Sequence, residues 1–224
     1  MIHYGSSSVP LALDVIIPPP FEPITLEEVY LHLRLTPFDS PPGHPDDPML
    51  LMFMKAARLD AENFTRRAFI EQTLRLRIGS TSRLTRSCWG GANTFEDGPL
   101  NLPRGNILGI AAVRYWDGDN ADQLVDAASY YEAGGTLAWG VGFSLPTLYG
   151  RPDALRIEFR AGYAPIGSPP VDVEDYRANV PEDIRAALLI GVQLLYDELT
   201  PEKRRALEMA RDSLLSSYVI HTIA

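Results

Sequence analysis

Cysteine is almost absent from this chain: Cys88 stands alone among 224 residues. No internal disulfide can form, and no multi-cysteine metal site exists. A nucleophilic Cys88 would need a histidine poised beside it, and His3, His32, His44 and His221 sit in no catalytic pattern. Cys88 therefore reads as inert. Lysine is nearly missing too: of 20 basic residues only Lys55 and Lys203 are lysine. Arginine makes forked hydrogen bonds and is used more at interfaces; GC-rich coding gives the same bias, and the two explanations stand level. Positive charge is scarce overall, with a formal balance of −9, which argues against nucleic-acid binding through a basic surface. No apolar run approaches the ~20 residues of a membrane span. The N-terminus lacks the basic start and apolar core of a signal peptide. The expectation is a soluble protein made in a cytoplasm, with no membrane partner.

The usual chemical motifs are missing as well. There is no phosphate loop, no dinucleotide-binding glycine pattern, no nucleophile elbow and no zinc-ligand spacing. Gly134-Gly135 and Gly140-Val-Gly142 fall between strands and read as turns. His44 with Asp46 and Asp47 reads as a helix start rather than a metal site, and Asp117 with Asp119 offers too few oxygens for calcium. The sequence supplies no catalytic residue, no cofactor site and no metal site.

What is present is a clear order of elements. The most strongly patterned stretch is Val180 to Leu199. Pro181 suits the first helical position and Glu182 and Asp183 the positive end of the dipole. Ile184, Ala187, Leu188, Gly191, Leu194 and Leu195 recur at three- and four-residue steps. Ala186, Leu189, Ile190 and Val192 widen that stripe, which predicts a helix packed on several sides. Residues 1–23 carry prolines and no helical period, giving an extended arm that either straps a neighbouring subunit or is disordered. Thr25 with Glu28 forms a capping box for a first helix faced by Leu26, Val29, Tyr30 and Leu33 and ended by Pro37. Asp47-Pro48 starts a second helix with Leu50, Phe53, Ala57, Ala61 and Phe64 inward and Lys55, Arg58, Asp60 and Glu62 on polar faces.

After Arg67 the period drops to two. Ile70, Leu74, Leu76 and Ile78 face one way and Glu71, Thr73, Arg75 and Arg77 the other, a half-buried strand. Residues 79–99 are a long loop or an extended hairpin. Further strands are expected at 100–102, 107–116, 123–132, 136–139 and 155–161, with a strong turn at Asp117-Gly-Asp-Asn120. Thr200-Pro201 begins a last helix to about Leu215, with Ala206, Leu207, Ala210 and Leu214 as its stripe. The tail, Ser216 to Ala224, is apolar and β-branched, able to pair with its own sheet or with a partner. The fold class is α+β: a helical bundle built from N- and C-terminal helices with an inserted antiparallel β-sheet region. Its parts are an arm (1–23), N-terminal helices (24–68), the β region (69–163), C-terminal helices (164–215) and the tail (216–224).

Several stretches in this order resemble the head–tail connector (adaptor, head-completion) proteins of long-tailed bacteriophages and gene transfer agents. They are Pro23 to Arg34, Ala57 to Thr73, Leu102-Pro-Arg104 with Ile110 to Trp116 and Tyr130-Tyr131, Arg160-Ala-Gly-Tyr163, Val180 to Arg185, and Leu214 to Tyr218. The likeness runs from about residue 22 to 220. The loops at 79–99 and 133–153 are longer than is usual there, and the arm before residue 22 is an addition. The resemblance implies a structural virion protein of the neck, between capsid and tail, made in the host cytoplasm and not an enzyme. It implies a homo-oligomer, a dodecameric ring below the portal protein that extends the DNA channel and carries a stopper or tail-completion protein. Genomic DNA would pass an acidic channel without sequence-specific binding. On that reading Arg75, Arg77, Arg204, Arg205 and Arg211 are candidate subunit-interface residues. Tyr218, Val219, Ile220, His221, Thr222 and Ile223 are the candidate portal-binding strand, ordered on docking, so that removing 217–224 spares the fold and abolishes portal binding. Competing readings are another neck protein such as a stopper, a DNA-binding regulator, and an enzyme with dispersed residues.

Overall fold

The computed structural model describes residues 12–39, 42–79, 100–143, 146–167 and 173–220. They divide into two compact units. Residues 19–71 and 162–220 form one; residues 12–18 and 72–161 form the other.

The first unit is mainly helical. Helix α1 (Leu26–Leu33) opens as expected: Thr25 Oγ1 accepts the Glu28 N–H at 3.1 Å, and Glu28 Oε2 accepts the Thr25 N–H at 2.7 Å. It stops at Leu33, before Pro37, because Arg34 takes a left-handed conformation at φ 57° and ends the hydrogen-bond ladder. A two-residue ribbon, β2 (Phe38–Asp39) with β3 (Pro42–Gly43), leads to α2 (Asp47–Thr65). The N-cap of α2 is Asp46, not Asp47, and its carboxylate makes no capping bond. Asp47 lies in the first turn, where its Oδ2 reaches back to the His44 N–H at 3.0 Å.

After a short α3 (Val173–Arg177), which sequence pattern did not disclose, come α4 (Glu182–Tyr196) and α5 (Pro201–Ser216). Pro181 is the N-cap of α4 rather than its first residue. The breadth of the α4 stripe is explained by its neighbours, since α1, α2 and α5 all pack on it. Gly191 is the point of closest approach: a Cβ there would lie 3.0 Å from Ala57 Cβ on α2. Ile24, Val29, Leu50, Phe69, Ile184 and Val192 are among the fully buried members of the shared core.

Two inward stripes differ from the sequence expectation. On α2, Arg58 and Glu62 are buried, whereas Phe64 is exposed. On α5, Leu215 is buried and Leu207 half-buried, but Ala206 and Ala210 face solvent. In the structure Arg58 finds carboxylates within the fold, and Arg211 on α5 pairs with Asp60 on α2 at 2.8 Å. Leu195, counted in the α4 stripe, is likewise exposed.

The second unit holds a five-stranded antiparallel sheet and a three-stranded one. The larger has the order β1 (Ala12–Ile17), β4 (Gln72–Ile78), β10 (Leu155–Ala161), β6 (Ile107–Trp116), β7 (Asp122–Leu124). The smaller has β5 (Leu100–Asn101), β9 (Thr136–Trp139) and β8 (Tyr130–Ala133). Strands β4 and β10 bury every second residue, so Leu74, Leu76, Ile78, Leu155, Ile157 and Phe159 make the inner layer. The single strand expected at 123–132 is two. Asp126 Oδ1 accepts the Ala128 N–H at 3.0 Å and starts a 3₁₀ turn, after which the chain changes sheets. Part of the N-terminal arm is a sheet edge: β1 pairs with β4 from Ala12 to Ile17. Its signal, Ala-Leu-Asp-Val-Ile-Ile, was masked by the flanking prolines. Residues 80–99 lie outside the described residues.

Candidate functional site

The outer face of the five-stranded sheet carries the arginines singled out from sequence. Arg77, Arg156 and Arg114 sit directly opposite one another across β4, β10 and β6. Three like charges in one row repel unless neutralised. Two carboxylates do this: Asp14 on β1 meets Arg77 at 2.6 Å, and Asp122 on β7 meets Arg114 at 2.8 Å and also binds Arg156. Beside the row, Glu158 on β10 meets Arg75 at 2.7 Å. The Arg114 hydrogen bonds, seconded by Arg156 and opposed by burial, hold the Asp122 carboxyl below the usual range. The Arg151 guanidinium lies 4.0 Å and that of Arg156 4.7 Å from the Trp116 ring centroid, so the indole is flanked by cations. Arg75 and Arg77 thus spend much of their donor capacity within the chain. Sequence could not reveal this, because the partners lie 83 and 63 residues away.

The α5 arginines divide. Arg211 pairs with Asp60 and Asp212, each at 2.8 Å. Arg204 donates to the Leu194 carbonyl at 3.0 Å and lies 4.0 Å from Glu208. Arg205 is exposed. The β4 arginines and the α5 arginines belong to different units.

In the tail, Tyr218 and Ile220 are already engaged. The Tyr218 carbonyl accepts from Arg67 Nε at 2.6 Å, its ring packs on the helical core, and the Ile220 N–H donates to the Thr65 carbonyl at 3.0 Å. Burial and the nearby Asp183 push the Tyr218 hydroxyl pKa up. Val219 is half-buried. His221, Thr222 and Ile223 lie outside the described residues. Removing 217–224 therefore takes away packing as well as any docking strand.

A polar cluster surrounds the start of α2. Tyr30 donates to Asp47, Tyr196 donates to Asp46 Oδ2 at 2.8 Å, and His44 Nδ1 accepts the Asp46 N–H at 3.2 Å. Burial, then the Asp47 hydrogen bond, pushes the Tyr30 hydroxyl up to about 12. That same bond, with the His44 N–H, holds Asp47 below the ordinary carboxylate range. Among the described residues, no three His, Cys, Asp or Glu side chains gather as a metal site. The cluster's chemistry is positional: it ties α1, α2 and α4 together. A depressed carboxyl contributes stability above its unfolded pKa and loses it as pH falls. The Tyr30–Asp47 contribution is thus complete near neutrality, starts to fall below about pH 4 and is lost as pH drops through the lowered Asp47 value. Melting scans of wild type and Tyr30→Phe should differ most at pH 6 and differ less at pH 3. An equal difference at both pH values would refute the linkage.

One surface escaped the sequence reading. Helix α2 has a second apolar stripe opposite its core stripe, through Met49, Met52, Ala56 and Leu59, and all four are exposed. The available signal was a helix apolar on two sides.

No family model matches the chain, and no curated protein matches it. Solved structures do. A chain in the virion of the native gene transfer agent particle aligns at TM-score 0.64 and 20% identity, covering 95% of this chain and 97% of that one. A chain in the neck of the empty gene transfer agent particle, computed with C6 symmetry, aligns at TM-score 0.67 and 20% identity with the same coverage. A chain in the neck of the native particle, computed with C12 symmetry, gives 0.62 and 18% with the same coverage again. The fold is that of a chain in the gene transfer agent neck. At these identities the likeness is one of fold, and it takes in both units and nearly the whole of each chain.

Proposed function

We propose that this protein is a structural, non-enzymatic component of the neck of a phage-like particle. It is an adaptor: a ring of identical copies below the portal that continues the DNA channel and carries the next neck or tail protein. The observation that carries this reading is the end-to-end fold match to a chain in the gene transfer agent neck. The symmetries used for those necks favour a ring, and a ring is the closed form of a head-to-tail contact. In this assembly the N- and C-terminal helices act as one bundle presenting contact faces, with the β region inserted between them. Arg75, Arg77, Arg204, Arg205 and Arg211 add polar contacts at its rim. The formal charge of −9 suits a channel past which DNA slides without adhering.

Light scattering and negative-stain imaging test the reading on the purified protein, alone and mixed with the portal of the same particle. A ring in either setting is expected. A chain that stays monomeric in both and leaves the portal unbound would overturn it.

The end of the tail, through Ile223, is the portal-binding strand in this proposal. Because Tyr218 and Ile220 are tied to the helical unit, the clean variant removes only residues 221–224. It should keep the wild-type melting temperature and weaken portal binding at least about tenfold, read by surface plasmon resonance. Unchanged affinity would remove the tail from the docking site.

A further inference from the structure

The outward face of α2 is built to be covered. A helix on a protein surface carries polar residues on its solvent side. Here Met49, Met52, Ala56, Leu59 and Asn63 follow one another at steps of 3, 4, 3 and 4, the spacing of a helix-to-helix seam. Met52 is 60% exposed, Leu59 43% and Met49 38%, and the flanking Leu51 and Phe64 are 48% and 40% exposed. At ~200 Å² per large side chain these five leave roughly 450 Å² of apolar surface in water. A standard-size interface covers about 800 Å² on each partner, a little over half of it apolar. The face therefore holds about the apolar area that one stable subunit contact uses. Its only charged residues are Lys55 and Asp60, one of each sign, so copies of a chain at −9 can meet there without repulsion.

The chain also exposes a second helix face. On α5 the exposed residues Ala206, Ala210 and Ser213 follow at steps of 4 and 3, opposite the buried Leu215. Small side chains at that spacing let another helix approach closely, and Met209 at the edge of the face, 66% exposed, adds apolar area. The two faces are different patches of one chain, which is what a head-to-tail ring requires. We propose that the outward seam of α2 packs against the outward face of α5 on a second copy of this chain, an inference that rests on the ring reading above.

Two measurements test it. The first replaces Met52 and Leu59 by glutamate. Both are solvent-exposed, so the melting temperature of the separate chain should hold within a few degrees. Burying two carboxylates at the contact should weaken association at least about 100-fold, read as loss of the ring by light scattering with and without portal. A wild-type ring that survives in the variant would overturn the α2 assignment and leave the ring reading standing. A wild-type chain that never forms a ring would overturn both.

The second uses two single-cysteine chains, Met52→Cys and Ala210→Cys, each with Cys88→Ser, oxidised with copper phenanthroline. Only their mixture should give a covalent dimer on a non-reducing gel. Dimers from either chain alone, or none from the mixture, would overturn the pairing of α2 with α5.

Discussion

Replacing Gly162 by alanine is expected to destabilise the protein by about 3–5 kcal/mol, among the largest effects of any single-methyl addition in the chain. Two costs add. Gly162 has φ +143°, a backbone region closed to side-chain-bearing residues. A Cβ there would also lie 2.5 Å from the Glu71 nitrogen, 2.5 Å from the Ile70 carbonyl carbon and 2.6 Å from its oxygen. Those are backbone atoms, unable to swing aside as a side chain would. The adjacent Tyr163 N–H donates to the Phe69 carbonyl at 3.3 Å, so relief by shifting the backbone would strain that contact too. Gly109→Ala is the control: φ is +151°, close to that of Gly162, and a Cβ would meet nothing within 4 Å. It isolates the conformational cost, about 1–3 kcal/mol. Thermal and urea melts of the two variants separate the terms. Equal small losses would show that the Ile70–Glu71 backbone yields easily.

Arg58→Ala is expected to cost about 3–5 kcal/mol, or ~10 °C in melting temperature for a chain of this length. Arg58 is 3% exposed and joins two acids, Glu22 through Nε at 2.7 Å and Glu62 through Nη1 at 2.9 Å. Glu62, also 3% exposed, accepts the Phe69 N–H at 2.9 Å through its other oxygen. Arg177 Nε donates to the Glu22 carbonyl at 2.7 Å. The network thus fastens the segment before α1, the helix α2, the turn that follows it and α3. Removing the guanidinium strands a buried carboxylate, and that, rather than the lost attraction, sets the magnitude. The double variant Arg58→Met with Glu62→Gln removes both buried charges and keeps an acceptor for Phe69. It should cost no more than about 1–2 kcal/mol, since a matched pair of buried charges contributes little net stability. If the double variant were as unstable as Arg58→Ala, the lost guanidinium hydrogen bonds to Glu22 and Glu62, not a stranded charge, would be responsible, because methionine keeps the packing of the arginine stem.

The parts of this protein that were legible in the sequence are those decided within a few residues. Thr25 and Glu28 close the capping box of α1, and Thr200 accepts the Lys203 N–H at 3.4 Å to start α5. Asp117 Oδ1 takes the N–H groups of Asp119 and Ala121 at 3.0 and 2.9 Å and makes the turn after β6. The alternation of β4 and β10 places arginine and glutamate opposite leucine and isoleucine without knowledge of any partner. Each of these is a local choice of dihedral angle or hydrogen bond, written in the residues that make it.

What tertiary structure alone decided is which surfaces are covered. Arg58 and Glu62 read as polar-face residues until Glu22 and Phe69, 36 residues before Arg58 and 7 after Glu62, supply their partners. Phe64, Ala206 and Ala210 read as core until helix packing sets which side of each helix faces inward. Strand β1 acquires its structure from the edge of β4, not from its own proline-bordered sequence. Periodicity fixes that a helix has an apolar stripe, but α2 has two, and the packing of α1, α4 and α5 selects the inner one. Burial is a property of pairs of segments distant along the chain, and a pattern within one segment carries no record of its partner.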